Sequence, residues 1–385
     1  MDKPKTVWIF AGEASGDQYG ARIARELRAI DPTMVIRGMG SHRMAAAGVE
    51  IMVDSSELGV IGLVEVLKLL RTFLRIMREL VERAERERPD AVVLIDYPGF
   101  NLRFATRMHK LGIKIVWYVS PQVWAWGKRR IPKLARVVNR MLCLFPFEPK
   151  VYEGTGLRAE FVGHPLLEIL AEERDPGLQR DPNTILLLPG SRRSEIDRLF
   201  IPILDTALKL KRENPNLKFV LPTPRQSIAD YIRKTAAGRE ADLCETGMEI
   251  TIGDTHRWMQ KATAGLAASG TVTVEAAMLG LPLVVIYRVN WITYIAFRFI
   301  LTIRYFTMVN LINDRLVFEE FLQGEVTVAN LSRALKDIMP GGARRALAEQ
   351  GMADMIAALG GQGHVCRHAA QAIIETIASP DSRPQ

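Results

Sequence analysis

Four short loops of this 385-residue chain carry residue types suited to chemistry. The first follows the apolar run Val7–Phe10 and reads AGEASGDQYGAR, with Gly12, Gly16 and Gly20. Glycines let a backbone approach a ligand closely, and a helix starting there offers free N–H groups. The spacing is GxxxGxxxG, not the dinucleotide fingerprint. Glu13 and Asp17 add two carboxylates, which would repel a pyrophosphate. The loop therefore suits a sugar or an acceptor hydroxyl; it reads equally as a tight turn with a capping aspartate. The second loop, Asp96-Tyr97-Pro98-Gly99-Phe100-Asn101, follows Ala91–Ile95. An aspartate at the end of a buried strand is placed to act as a general base, or else to cap a helix or form a turn.

The other two loops lie in the second half. Ile185–Leu188 runs into Pro189-Gly190-Ser191-Arg192-Arg193-Ser194-Glu195. A helix N-terminus flanked by arginine attracts phosphate through the helix dipole and through the guanidinium fork. Ala268 is followed by Ser269, Gly270 and Thr271, with Glu275 one turn into the next helix. Amides and hydroxyls there suit phosphate, and the carboxylate suits a ribose diol. Each loop also looks like a plain helix cap. Two of them in one domain point to a nucleoside diphosphate. The sequence holds neither a Walker lysine motif nor a G-x-S-x-G elbow. Among its histidines and cysteines only His364, Cys366 and His368 cluster. No third ligand of suitable spacing accompanies the two histidines, so they read as surface residues and no metal is expected.

These loops need strands to hold them. β-rich apolar runs occur at Val7–Phe10, Met34–Ile36, Ala91–Ile95, Ile113–Val119, Met141–Leu144 and Glu160–Val162, with helix-period segments between most of them. Continuous runs such as Val92-Val93-Leu94-Ile95 are those of buried parallel strands. The pattern restarts after the polar stretch 171–183, with runs at Thr184–Leu188, Lys218–Leu221, Ala264–Ala268 and Leu283–Ile286. Two doubly wound α/β domains are expected, 1–172 and 173–345, followed by a helical segment, 346–385. Ligands of such sheets bind beyond the carboxyl ends of the strands, where all four loops fall.

Lysine and arginine number 51 against 43 aspartates and glutamates, a net charge of +8 that favours anionic partners. Three scattered cysteines exclude a disulfide framework and fit a reducing compartment. The N-terminus lacks the features of a signal peptide, and no apolar stretch is long enough to predict a transmembrane helix, so a cytoplasmic protein is expected. Residues 60–80 form a basic apolar helix with Lys68, Arg71, Arg75 and Arg78 on one stripe and Leu67, Phe73 and Leu74 among its apolar residues. It reads as a helix lying in a lipid headgroup plane, or as a core helix with one wet stripe. A second apolar tract, Trp291–Ile312, also fits either core or lipid. Trp124 and Trp126 border the basic run Lys128–Arg140, suiting a sugar face or a membrane interface. A solvated basic helix is the alternative.

Taken in order, AGEASGDQYGA, Ile95–Asn101, YVSPQVWAW, FVGHP, LLLPGSRRSEI and ASGTVTVEAAMLGLPLVVIYR resemble the lipid-A-disaccharide synthase family, from residue 11 to about residue 325. The resemblance implies an inverting GT-B glycosyltransferase, with two Rossmann-like domains, an interdomain cleft and no obligatory metal or other cofactor. It implies UDP-2,3-diacylglucosamine as donor, 2,3-diacylglucosamine 1-phosphate (lipid X) as acceptor, and a β-1,6-linked disaccharide 1-phosphate and UDP as products. It further implies acceptor binding in the N-terminal domain, UDP binding in the C-terminal one, and peripheral association with the cytoplasmic face of the inner membrane, as monomer or homodimer. Asp96 matches the family's essential aspartate, as base or acceptor-orienting group, with Glu13 a second candidate. Ser191 and Arg192 match the diphosphate motif, and Ser269, Gly270, Thr271 and Glu275 the rest of the UDP site.

The chain departs from the family in places. Gly99 stands where a second Asp often occurs, and Met308-Val309-Asn310 and Asp314-Arg315-Leu316 replace the usual Leu-Pro-Asn and Gly-Arg-Glu. Asn310 and Arg315 still align, Asn310 as an expected active-site residue, and Gln323 matches a family position. A UDP-N-acetylglucosamine 2-epimerase of the same fold is the rival enzyme reading, and it leaves the basic apolar helix unexplained. Phosphate loops in two α/β domains argue against a nucleic-acid-binding protein.

Overall fold

The computed structural model describes residues 4–55, 65–125, 127–290, 304–360 and 363–380, with the backbone alone for 65–71. The chain divides into two units, 1–165 with 362–385, and 166–361. The division falls ahead of the expected boundary at 172/173, and it splits the expected C-terminal segment.

The first unit is built on seven parallel strands: β1 (Thr6–Phe10), β2 (Val35–Gly40), β3 (Glu50–Asp54), β4 (Ala91–Leu94), β5 (Lys114–Tyr118), β6 (Arg140–Cys143) and β7 (Arg158–Phe161). Their order is β3-β2-β1-β4-β5-β6-β7. β1 and β4 are apolar because helices cover both faces: Trp8, Phe10, Val92 and Leu94 pack with Phe104 and Met108 of the helix Pro98–Lys110. The helix Val365–Ala378 returns to this unit. Arg140 on β6, with only 5% of its side chain exposed, pairs with Glu160 at 2.6 Å and Glu375 at 2.8 Å. It also donates to the Ala372 carbonyl at 2.8 Å. Arg140, expected in a basic cluster facing a sugar, a membrane or solvent, is thus an internal tie.

The second unit holds β8 (Asp181–Leu188), β9 (Lys218–Thr223), β10 (Glu249–Ile252), β11 (Ala262–Ala268), β12 (Leu283–Tyr287) and β13 (Glu319–Leu322), all parallel. Their order is β10-β9-β8-β11-β12-β13. The long helix Arg193–Glu213 supplies Ile196, Leu199, Phe200, Ile203 and Leu204 to its core.

The helix Glu65–Glu87 buries Ile76, Leu80 and Ala84 against the first sheet and half-buries Phe73, whereas Leu74 is 57% exposed. Its carboxyl half is therefore a core helix. Arg75 points outward and meets Glu79 at 3.8 Å. The side chains of Leu67, Lys68 and Arg71 lie outside the described residues, as do 56–64, Trp126 and 291–303. Trp124 is half-buried, edge-on to Phe147 with ring centroids 5.2 Å apart, so it packs inward rather than standing as an interface anchor. Among the described residues no helix is long and apolar enough to cross a membrane.

Candidate active site

The order of the strands reverses at one place in each sheet: between β1 and β4 in the first, and between β8 and β11 in the second. Where neighbouring strands send their chains to opposite faces, a crevice opens beyond their carboxyl ends. All four loops singled out in the sequence leave these four strands.

At the first crevice the Asp96 carboxylate accepts from the Gly12 N–H at 2.6 Å and the Glu13 N–H at 3.0 Å. Glycine is required beside it, since a Cβ at Gly16 would lie 1.9 Å from Asp96 Oδ2. Burial outweighs the two amides and lifts the Asp96 carboxyl to about 6, with the neighbouring Glu13 charge adding to the rise. The backbone turns sharply here. Tyr97 sits at φ +55°, in the left-handed region that tyrosine rarely occupies. Asn101, fully buried, donates to the Asp96 carbonyl. Glu13 is exposed at the lip of the crevice. Asp17 is not part of this opening: it accepts from the N–H groups of Ser41, Arg43 and Met44, capping the short helix after β2.

At the second crevice Gly190, at φ +106°, turns the chain out of β8. Glu195 accepts from the N–H groups of Ser191 and Arg192 at 3.1 and 3.2 Å, closing its own helix start. The Arg192 side chain is 77% exposed and only loosely held, 3.6 Å from Glu195. Beyond β11, Gly270 and Thr271 are exposed, and a Cβ at Gly270 would meet nothing within 4 Å. Ser269 donates to the Phe306 carbonyl at 3.4 Å. Glu275 is engaged by His256, whose other ring nitrogen contacts Glu173. Glu275, and then Glu173, raise the His256 imidazole to about 9, so it is cationic at neutral pH. Nothing in the local sequence marked His256; it was legible only as one of several isolated histidines.

Asn310 does not open onto either crevice. It is 0% exposed, donates to the Phe318 carbonyl and Glu320 at 2.8 Å each, and accepts from the N–H groups of Val317 and Phe318. With its amide fully used, Asn310, expected as an active-site residue, clamps the loop before β13. Gln323, at φ +52°, accepts from Val289 N–H and donates to Val289 O, joining the exits of β12 and β13. Arg315 pairs with Asp354. His364 and His368 are exposed while Cys366 is buried, so the three do not converge. Among the described residues no three His, Cys, Asp or Glu side chains group as metal ligands.

Paired parallel sheets with polar loops at both reversals define the GT-B type of fold. Solved structures agree at the level of fold: a UDP-GlcNAc 2-epimerase from Neisseria meningitidis bound to UDP-GlcNAc has a TM-score of 0.64 at 14% identity, covering 97% of this chain and 99% of that one. The glycotransferase of kitacinnamycin has a TM-score of 0.64 at 16% identity, covering 97% and 100%. Residues 7–375 match the family model of lipid-A-disaccharide synthetase. The lipid-A-disaccharide synthase of Myxococcus xanthus (strain DK1622) is 37% identical over 98% of this chain and 99% of its own. Lipid-A-disaccharide synthase 1 of Legionella pneumophila (strain Paris) is 36% identical over 88% of each. The chain belongs to the lipid-A-disaccharide synthase family.

Proposed function

We propose that the chain joins UDP-2,3-diacylglucosamine to lipid X, forming the β-1,6-linked disaccharide 1-phosphate of lipid A and releasing UDP. The acceptor 6′-hydroxyl oxygen attacks the donor's anomeric carbon from the face opposite the diphosphate. The C–O bond to UDP breaks with inversion, and the hydroxyl proton passes to Asp96. The observation that carries this reading is the Asp96 carboxylate itself. It is desolvated, fixed by two amides at the first crevice, and titrates near 6, so it is ionised yet basic at neutral pH. Glu13 stands beside it as a second acceptor-facing carboxylate.

The second unit takes the nucleotide. Arg192 swings to the diphosphate and steadies the departing charge, with Ser191, Ser269, Gly270 and Thr271 offering amides and hydroxyls. Glu275, held by His256, takes the ribose diol. No residue in this scheme needs a metal or other cofactor. The first unit carries the acceptor, and the exposed Leu74 and Arg75 belong to a surface that rests peripherally on the anionic cytoplasmic face of the inner membrane. Gln323 and Asn310 serve by shaping the loops around β13.

The test is incubation of the purified protein with UDP-2,3-diacylglucosamine and lipid X in mixed micelles containing EDTA. Disaccharide and UDP are followed together by mass spectrometry. Equal yields of both are expected. Absence of disaccharide across detergents overturns the reading, and conversion of UDP-N-acetylglucosamine without any acceptor would favour an epimerase instead.

A further inference from the structure

The corner of the chain that presents Asp96 is strained and crowded. Tyr97, the next residue, lies at φ +55°, where a bulky side chain is uncommon and costs energy. The glycines facing this corner leave no slack. A Cβ at Gly12 would lie 2.9 Å from Tyr97 Cβ, and one at Gly16 only 1.9 Å from Asp96 Oδ2. Such conformations persist where the surrounding contacts over-determine them.

Asn101 supplies those contacts. Its N–H donates to the Tyr97 carbonyl at 3.0 Å, and its side-chain amide donates to the Asp96 carbonyl. One residue thus ties the carbonyls on both sides of the strained turn. It does so at a cost. Asn101 is 0% exposed, and its Oδ1 meets no donor among the described residues. A carbonyl only accepts, so the amide must turn its nitrogen toward Asp96 and leave its oxygen inward. An apolar side chain of the same size would avoid the buried, unpaired acceptor. The asparagine is therefore explained by the bond it makes to Asp96, not by its fit to the interior.

We propose that Asn101 is the positioning residue of the catalytic base: by holding the Asp96 carbonyl, it keeps the turn at Tyr97 left-handed and the Asp96 carboxylate seated on the Gly12 and Glu13 amides. The inference rests on the transferase reading above and adds to it what aims the base. The loop after β1 fixes the carboxylate from one side, and Asn101 fixes the main chain from the other. A carboxylate that leaves those amides but stays buried loses the bonds that favour its charge, so it holds its proton to higher pH. Glu13 and the Tyr97 phenol are the other titratable groups at this corner, and both remain when Asn101 is replaced.

Asn101→Leu keeps the volume and removes both the bond and the unpaired oxygen. Its melting temperature should stay within about 4 °C of the wild type, one change offsetting the other. Its kcat is expected to fall about ten- to a hundredfold, with both KM values within about twofold. The acidic limb of its pH–rate profile, near 6 in the wild type, should move to higher pH. Carbon-13 NMR of labelled aspartate reads the same titration without turnover, the Asp96 signal being assigned by its absence from Asp96→Asn. Asn101→Ser, suited to a first helical turn, is the second variant and is read in the same way. If neither variant folds, or if the melting temperature falls while kcat and the limb stay put, Asn101 is structural and the proposal is overturned. Lost kcat with the limb and the NMR titration unmoved overturns it too, because Asn101 would then act on substrate. If the wild type makes no disaccharide yet Asn101→Leu shifts the Asp96 titration, the transferase reading fails and the positioning stands. If the wild type makes disaccharide and the variants leave that titration unmoved, the positioning fails and the transferase reading stands.

Discussion

Asp96 is held in a state that few surface carboxylates reach. Its native carboxyl titrates near 6 rather than 3.8, because burial opposes its charge. As the base, it must be ionised, so log kcat/KM should fall with unit slope below about pH 6. Asp96→Asn should remove that limb and lower kcat about 10²–10⁴-fold. The stability effect has the opposite sense. A raised carboxyl means that the folded protein gains protons between about pH 3.8 and 6, and the ionised group is penalised above that range. The melting temperature of Asp96→Asn relative to wild type should therefore rise from pH 4 to 6 and then level off; a flat difference would rule out the desolvated carboxylate. His256 runs the other way: partnered by Glu275 and Glu173, it is raised to about 9. Its contribution is complete below about pH 6.5 and is lost as pH passes 9. His256→Gln should lose about 1–2 kcal/mol near pH 7 and almost nothing above pH 9, while weakening UDP binding severalfold through the loosened Glu275. Titration calorimetry with UDP reads the second effect, and an unaltered affinity would reduce His256 to scaffolding. Asp96 was legible because a strand-end aspartate stands out locally. The His256–Glu173 pair spans 83 residues of sequence, and no local pattern records it.

At the scale of elements, the expected strands were mostly those with continuous apolar runs, and all of them but the edge strand β7 form the sheet interiors. β3, β10 and β13 were not foreseen; each is an edge strand, half-exposed and mixed in character, so it lacks the buried run that marks its neighbours. Asp17 shows the same limit within a loop. Its place among glycines suggested a carboxylate for sugar, or a cap; in the fold it accepts three amides at the start of the helix His42–Ala46. Asp17→Ala should therefore destabilise by about 1–3 kcal/mol in denaturant melts, with the surviving folded fraction keeping its KM values. Asn310 is the converse: a family position expected in the active site whose side chain also clamps the chain entering β13. Asn310→Ala should lower the melting temperature more than it raises the KM for either substrate. A donor KM raised tenfold in a protein of unchanged stability would restore it to the site.

For the whole molecule, the last helix belongs to the first unit although 196 residues of the second, 166–361, precede it in the chain. Arg140 is buried on the way to it, so removing residues 362–385 leaves that guanidinium without Glu375 and the Ala372 carbonyl. Arg140 keeps Glu160, and Glu375 is half-exposed, so these lost contacts themselves cost about 1–3 kcal/mol. The truncated chain should show faster amide exchange in β5, β6 and β7, while β8 and β11 stay protected. Uniform loss of protection would mean that the two units do not melt separately.

Sequence alone determined the class of fold, the four crevice loops and the family, because buried strands and glycine-rich turns are written in consecutive residues. Packing decided the rest: which carboxylate is desolvated, which polar residues are spent on caps and clamps, and which unit receives the last helix. Those properties arise between residues distant along the chain, where burial and partnership, not residue type, set the chemistry.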